Sequence, residues 1–154
     1  MSRIEQLVNA YMEAAQKDQQ YWSELLQIVS LVEEKFTEYM QRTPGALDDE
    51  SLDESRFVAM VAAGTTMPDG TFQTDDEFFV RNGKALNFSI RLDLIPDPTL
   101  EPKSFVVINL AVSKTDSETD IVDVDTGNHL HINKDLHAVC KWLHQRCIKE
   151  FENL

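Results

Sequence analysis

Leu86-Asn87-Phe88-Ser89-Ile90-Arg91-Leu92-Asp93-Leu94 sets an apolar side chain at every second position and a polar one between. A period of two marks a strand in a sheet with one dry face and one wet face. Downstream, Phe105-Val106-Val107-Ile108-Asn109-Leu110-Ala111-Val112 is apolar on both faces, which predicts a central strand covered twice. Pro96-Asp97-Pro98-Thr99-Leu100-Glu101-Pro102 reads as a stiff, extended connection between them.

Further strand-like runs cover 57–63, 72–81, 84–95, 105–114, 121–124 and 129–132, with turns at Met67-Pro68-Asp69-Gly70 and Asp125-Thr126-Gly127-Asn128. Arg81-Asn82-Gly83-Lys84 is the strongest turn signal in this region. Two registers are open for its hairpin. One sets Glu77 opposite Phe88, which brings charge to the core face. A three-residue loop instead sets Phe78 opposite Leu86 and Phe72 opposite Leu92, and the hydrophobic face favours it.

Upstream of the sheet, Ser2 and Glu5 carry the spacing of a capping box. From Ile4 a 4-3 spacing runs through Val8, Tyr11, Ala15, Asp18, Trp22, Leu25, Val29, Val32, Phe36 and Tyr39, and only Asp18 breaks its apolar content. This predicts an amphipathic helix over 1–43, ended by Thr43-Pro44-Gly45. Such a helix spans roughly 60 Å, whereas a domain of this size is only about 40 Å across. Either the helix breaks near Lys17-Asp18-Gln19-Gln20 or its overhang packs on another chain. The phase does not reset there, so the overhang is favoured, with a homodimer contact around Trp22, Leu25 and Val29. A C-terminal helix is predicted over 134–152, burying Leu136, Val139, Cys140, Leu143, Cys147 and Phe151. The fold class is therefore α+β: a long N-terminal helix, an antiparallel sheet of about five strands over 56–132, and a C-terminal helix, in one domain over 1–154.

The 154 residues carry a net charge of −13, and that charge is local. Of the 27 acids, 14 fall in three windows without Lys or Arg: 48–54, 69–77 and 116–125. Elsewhere 13 acids balance 14 basic residues. Charge held in patches on a folded domain points to a basic partner or a bound cation. The candidate partner-binding residues are Asp48, Asp49, Glu50, Asp53 and Glu54 in an acidic linker (46–55), Asp75, Asp76 and Glu77, and then Asp116, Asp120, Asp123 and Asp125. Direct nucleic-acid binding is disfavoured, because a polyanion gains no counterion release from an acidic surface.

Histidines and cysteines cluster between 129 and 147. His129 and His131 on one strand, with Asp123 or Asp125, are the best metal candidates, but no third ligand has a recognisable spacing. His137 to Cys140 and His144 to Cys147 read more simply as buried thiols flanked by boundary histidines. Asp123-Val124-Asp125-Thr126-Gly127 has part of a calcium-loop spacing and lacks the distal Glu. Asp97 with Glu101 and Lys103 matches a magnesium-nuclease pattern only superficially, since all three share one proline-rich connection. No phosphate loop, dinucleotide fingerprint or nucleophile elbow occurs, so no cofactor, metal or catalytic residue is assigned.

Cys140 and Cys147 are two helical turns apart, about 10 Å along the axis and too far for a disulfide. No export signal or apolar span is read, and the expected location is cytoplasmic. In size, acidity and mixed α/β character the chain is similar to bacterial secretion chaperones and to small immunity or inhibitor proteins. That similarity covers bulk properties and carries no residue over. The leading expectation is a non-catalytic module that inhibits a basic, nucleic-acid-binding protein by charge mimicry. The alternatives are a chaperone for an extended client and a small metal-dependent enzyme using His129, His131 and Asp125.

Overall fold

Ser2 and Glu5 cap the first helix reciprocally: Glu5 N–H donates to Ser2 Oγ at 3.1 Å and Ser2 N–H to Glu5 Oε2 at 3.3 Å. From that cap α1 (Arg3–Gln41) runs 39 residues, continuous through Asp18. A computed structural model describes residues 2–41, 58–95, 104–115, 118–132 and 136–153. The remaining elements are β1 (Val58–Thr66), β2 (Phe72–Gln73), β3 (Val80–Asn82), β4 (Ala85–Ile95), β5 (Ser104–Lys114), β6 (Thr119–Asp123), β7 (His129–Ile132) and α2 (His137–Glu152). The expected acidic linker and the proline-rich connection lie outside the described residues.

All seven strands form one antiparallel sheet in the order β2-β1-β4-β5-β6-β7, with β3 also paired to β4. The long β4–β5 ladder sets Leu86, Phe88, Ile90 and Leu92 opposite Val112, Leu110, Ile108 and Val106. These side chains form one buried face, as the alternation of β4 predicts. Trp22, Leu25, Val29, Val32 and Phe36 of α1 pack into that core with Val139, Cys140, Leu143 and Cys147 of α2. Burying side chains of this size contributes about 1.5–3 kcal/mol each.

Two expectations are corrected. First, the hairpin uses a two-residue turn at Gly83-Lys84, pairing Arg81 with Leu86 and Val80 with Asn87. Gly83 has φ +62° and Lys84 has no positive φ, the pattern of a II′ turn. Phe78 therefore does not face Leu86. The 72–81 run breaks into β2, a single 3-10 turn at Asp76–Phe78, and β3. The physical reason is competition for an edge: β1 pairs with β4 from Ser89 to Ile95, leaving only Ala85 to Asn87 for β3.

Second, among the described residues no helix covers the second face of β5. Both helices lie on the face of Ile108, while Phe105 on the other face is 47% exposed. That outer face is dressed by side chains instead. The Arg91 guanidinium stacks over Phe105 at 4.0 Å and pairs with Asp93 at 3.1 Å, and Ser89 Oγ donates to Asn109 Oδ1. The Phe72 ring closes over Gly64, where a Cβ would lie 2.7 Å from its Cε1.

Candidate protein-binding surface

Tyr21 marks where α1 leaves the sheet. Its hydroxyl donates to the Lys84 carbonyl and accepts from Lys114 N–H at 3.3 Å, and Lys114 Nζ meets Glu24 at 2.7 Å. That ion pair and the hydrogen bond from Lys114 hold the Glu24 carboxyl below its usual pKa. Asp18, the polar interruption in the stripe, accepts the Trp22 indole N–H at 3.2 Å. N-terminal to it every helical residue is exposed. The arm from Arg3 to Gln20 extends about 27 Å at the helical rise. It presents Ile4, Leu7, Val8, Tyr11 and Met12 to solvent, with Ile4, Leu7 and Tyr11 at 73%, 71% and 70% exposure. Trp22, Leu25 and Val29, expected at a dimer contact, are buried under the chain's own sheet. Free apolar surface on α1 is therefore concentrated in the arm.

The three acidic windows have different fates. Asp48, Asp49, Glu50, Asp53 and Glu54 lie outside the described residues, as does Asp116. In the second window Asp75, Asp76 and Glu77 are all exposed on the turn before β3. Among the described residues none of these three side chains makes an ion pair or a hydrogen bond. Asp69 caps its own turn, accepting from Thr71 Oγ1 at 2.6 Å and Thr71 N–H at 3.0 Å, and these bonds lower its pKa.

In the third window only Asp123 is buried among the described residues; Asp120 is half-buried, and Glu118 and Asp125 are exposed. Asp123, expected among the partner-binding acids, has no solvent exposure in the chain by itself. Its Oδ1 accepts Asp125 N–H, and its Oδ2 accepts Arg146 Nε at 2.7 Å. Burial pushes the Asp123 carboxyl up, but the hydrogen bonds from Arg146, Thr126 and Asp125 outweigh it and the pKa lies below the ordinary value. Asp120 meets His129 Nδ1 at 3.0 Å, and Asp125 accepts from Asn109 Nδ2. The calcium-loop spacing is thus the spacing of a structural turn whose first carboxylate faces inward. Among the described residues no three His, Cys, Asp or Glu side chains converge on a metal-sized site. The side chain of His131 is outside those described. His137 and His144 stack edge-on against Tyr39 at the α1–α2 contact.

One concave site was not read from the sequence. Trp22, Leu26, Phe79 and Leu86 floor a groove of about 290 Å³, and Asp76, Glu77 and Arg81 rim it. The Arg81 guanidinium lies over the Trp22 ring, 4.6 Å from its centroid. The juxtaposition joins residues more than fifty positions apart and depends on β3 pairing next to α1, so no local pattern announces it. The one signal was Phe78-Phe79 directly after Asp75-Asp76-Glu77.

No family model, no curated protein and no solved structure matches this chain.

Proposed function

We propose that this chain is a non-catalytic, acidic protein-binding module that antagonises a basic protein by occupying a surface otherwise used for nucleic acid. The observation that carries the reading is the second window: Asp75, Asp76 and Glu77 are exposed, close together and without ionic partners in the described residues. Unneutralised carboxylates on one turn attract a cationic surface over a Debye length of about 8–10 Å. The module works in the cytoplasm as a homodimer joined through the α1 arm. No described helix is long and apolar enough to cross a membrane.

Affinity capture from the native host, followed by association kinetics, tests the reading. Asp75→Asn, Asp76→Asn and Glu77→Gln together should slow association with the captured partner, and the wild-type rate should fall steeply with salt. Equal rates for variant and wild type across that salt range would refute it. The bare apolar stripe of the arm favours a second reading, a chaperone for an extended client. In that case affinity resides in apolar contacts, salt changes it little, and Val8→Glu abolishes it.

A further inference from the structure

We propose that the groove between α1 and the turn before β3 receives an arginine side chain from the basic partner, stacked on Trp22 and held by Asp76 and Glu77. This rests on the protein-binding reading and names the chemistry of its contact. The apolar lining is two aromatic rings, Trp22 and Phe79, with Leu26 and Leu86, and the charged lining is the two carboxylates of Asp76 and Glu77 with the Arg81 guanidinium. An aromatic face attracts a cation through its quadrupole, and carboxylates at the rim add charge complementarity that an apolar ligand would not use. A volume of about 290 Å³ lies at the small end for ligand sites, suited to one side chain and short of a dinucleotide.

The chain already shows the binding mode. Arg81 rests its own guanidinium on Trp22 from the rim, 4.6 Å from the ring centroid, and is itself exposed. Among the described residues Arg81 makes no ion pair beside its contact with the ring, and Asp76 and Glu77 make none either. Arg81 thus acts as a resident occupant that leaves the carboxylates unused. An incoming guanidinium that displaces it gains both the ring and the acids, whereas the displaced Arg81 returns to solvent at the hairpin.

The test uses the full chain carrying Trp142→Phe, so that fluorescence reports Trp22. The probe is a short peptide with arginines spaced by Gly and Ser, compared with the same peptide carrying citrulline, which keeps the shape and loses the charge. At low salt the arginine peptide should change Trp22 fluorescence saturably, and the citrulline peptide should not. Arg81→Ala removes the competitor and should tighten binding roughly two- to fivefold beyond Lys149→Ala, which removes the same charge from an exposed position on α2. Glu77→Gln should weaken it. If the peptide binds with Trp22 silent, and Arg81→Ala matches Lys149→Ala, the groove assignment is overturned while the charge reading stands. If the arginine peptide does not bind at all at low salt, both fall together.

Discussion

Arg146 on α2 donates from Nε to Oδ2 of Asp123 on β6 at 2.7 Å, with both side chains withdrawn from solvent. The same guanidinium reaches Glu150 Oε1 at 2.7 Å, so one cation ties the end of the sheet to two turns of the last helix. Breaking a buried pair from one side leaves an uncompensated charge and costs about 3–5 kcal/mol. Asp123→Asn should lower unfolding free energy in urea by an amount of that order at pH 7. The pH dependence has a definite sign. Asp123 has a depressed pKa in the folded chain, against an ordinary value of 3.8. The stabilisation is therefore complete above that ordinary value and lost as pH falls through the lower folded value. The gap between wild type and Asp123→Asn should be constant from pH 7 to 5 and close below pH 4. A gap that persists into strong acid would mean the pair contributes through packing alone.

Gly64 and Phe72 give a second prediction. A Cβ at position 64 would press on the Gln73 carbonyl oxygen and sit 2.7 Å from the Phe72 ring. The backbone of Gly64 does not have a positive φ, so the cost is steric. Gly64→Ala should destabilise by about 1–3 kcal/mol, the range for forcing extra volume into a packed site. Adding Phe72→Ala should restore only part of it, because the Gln73 oxygen belongs to the backbone. Full rescue in thermal melts would place all of the strain in the ring.

Cys140 and Cys147 are both buried, and burial pushes the Cys147 thiol up to about 12. The thiolate is the reactive form, so the native protein should resist alkylation at pH 8 while both thiols react in denaturant. The labelling rate should follow the urea unfolding curve. Rapid modification of Cys147 without urea would show that the last turns of α2 open independently of the core.

What could be read from the chain beforehand divides along the range of the interactions involved. The capping box of Ser2 and Glu5, the long first helix and the alternation of β4 are local patterns, and each appears among the described residues, while the expected helix stop at Thr43-Pro44-Gly45 lies outside them. The hairpin register was not legible, because it depends on which strand takes the β4 edge beyond Asn87, and β1 comes from a distant part of the chain. The apolar outer residues of β5 suggested a second cover, yet Arg91 stacked on Phe105 supplies a partial one from within the sheet. Acidity was visible as composition, but only the fold separates exposed Asp75, Asp76 and Glu77 from Asp123, whose carboxylate holds Arg146.

The arm of α1 makes the final prediction. A helix of 18 residues exposed along its whole length is of marginal stability in water, and a capping box adds only about 1 kcal/mol. Ile4, Leu7, Val8, Tyr11 and Met12 nonetheless keep the helical spacing that α1 uses farther on to bury Trp22, Leu25 and Val29. A second copy of the arm offers the same stripe and would cover it by isologous pairing. Light scattering should therefore show a dimer at micromolar concentration. Val8→Glu with Tyr11→Glu should yield a monomer whose melting temperature matches that of wild type diluted below its dimerisation range, since neither side chain touches the core. Trp22→Ala should behave in the opposite way. It removes a core ring and should cost about 3–5 kcal/mol of stability, with dimerisation affected only as the fold weakens. A monomeric wild type at high micromolar concentration would leave the stripe to a different protein and end the homodimer proposal.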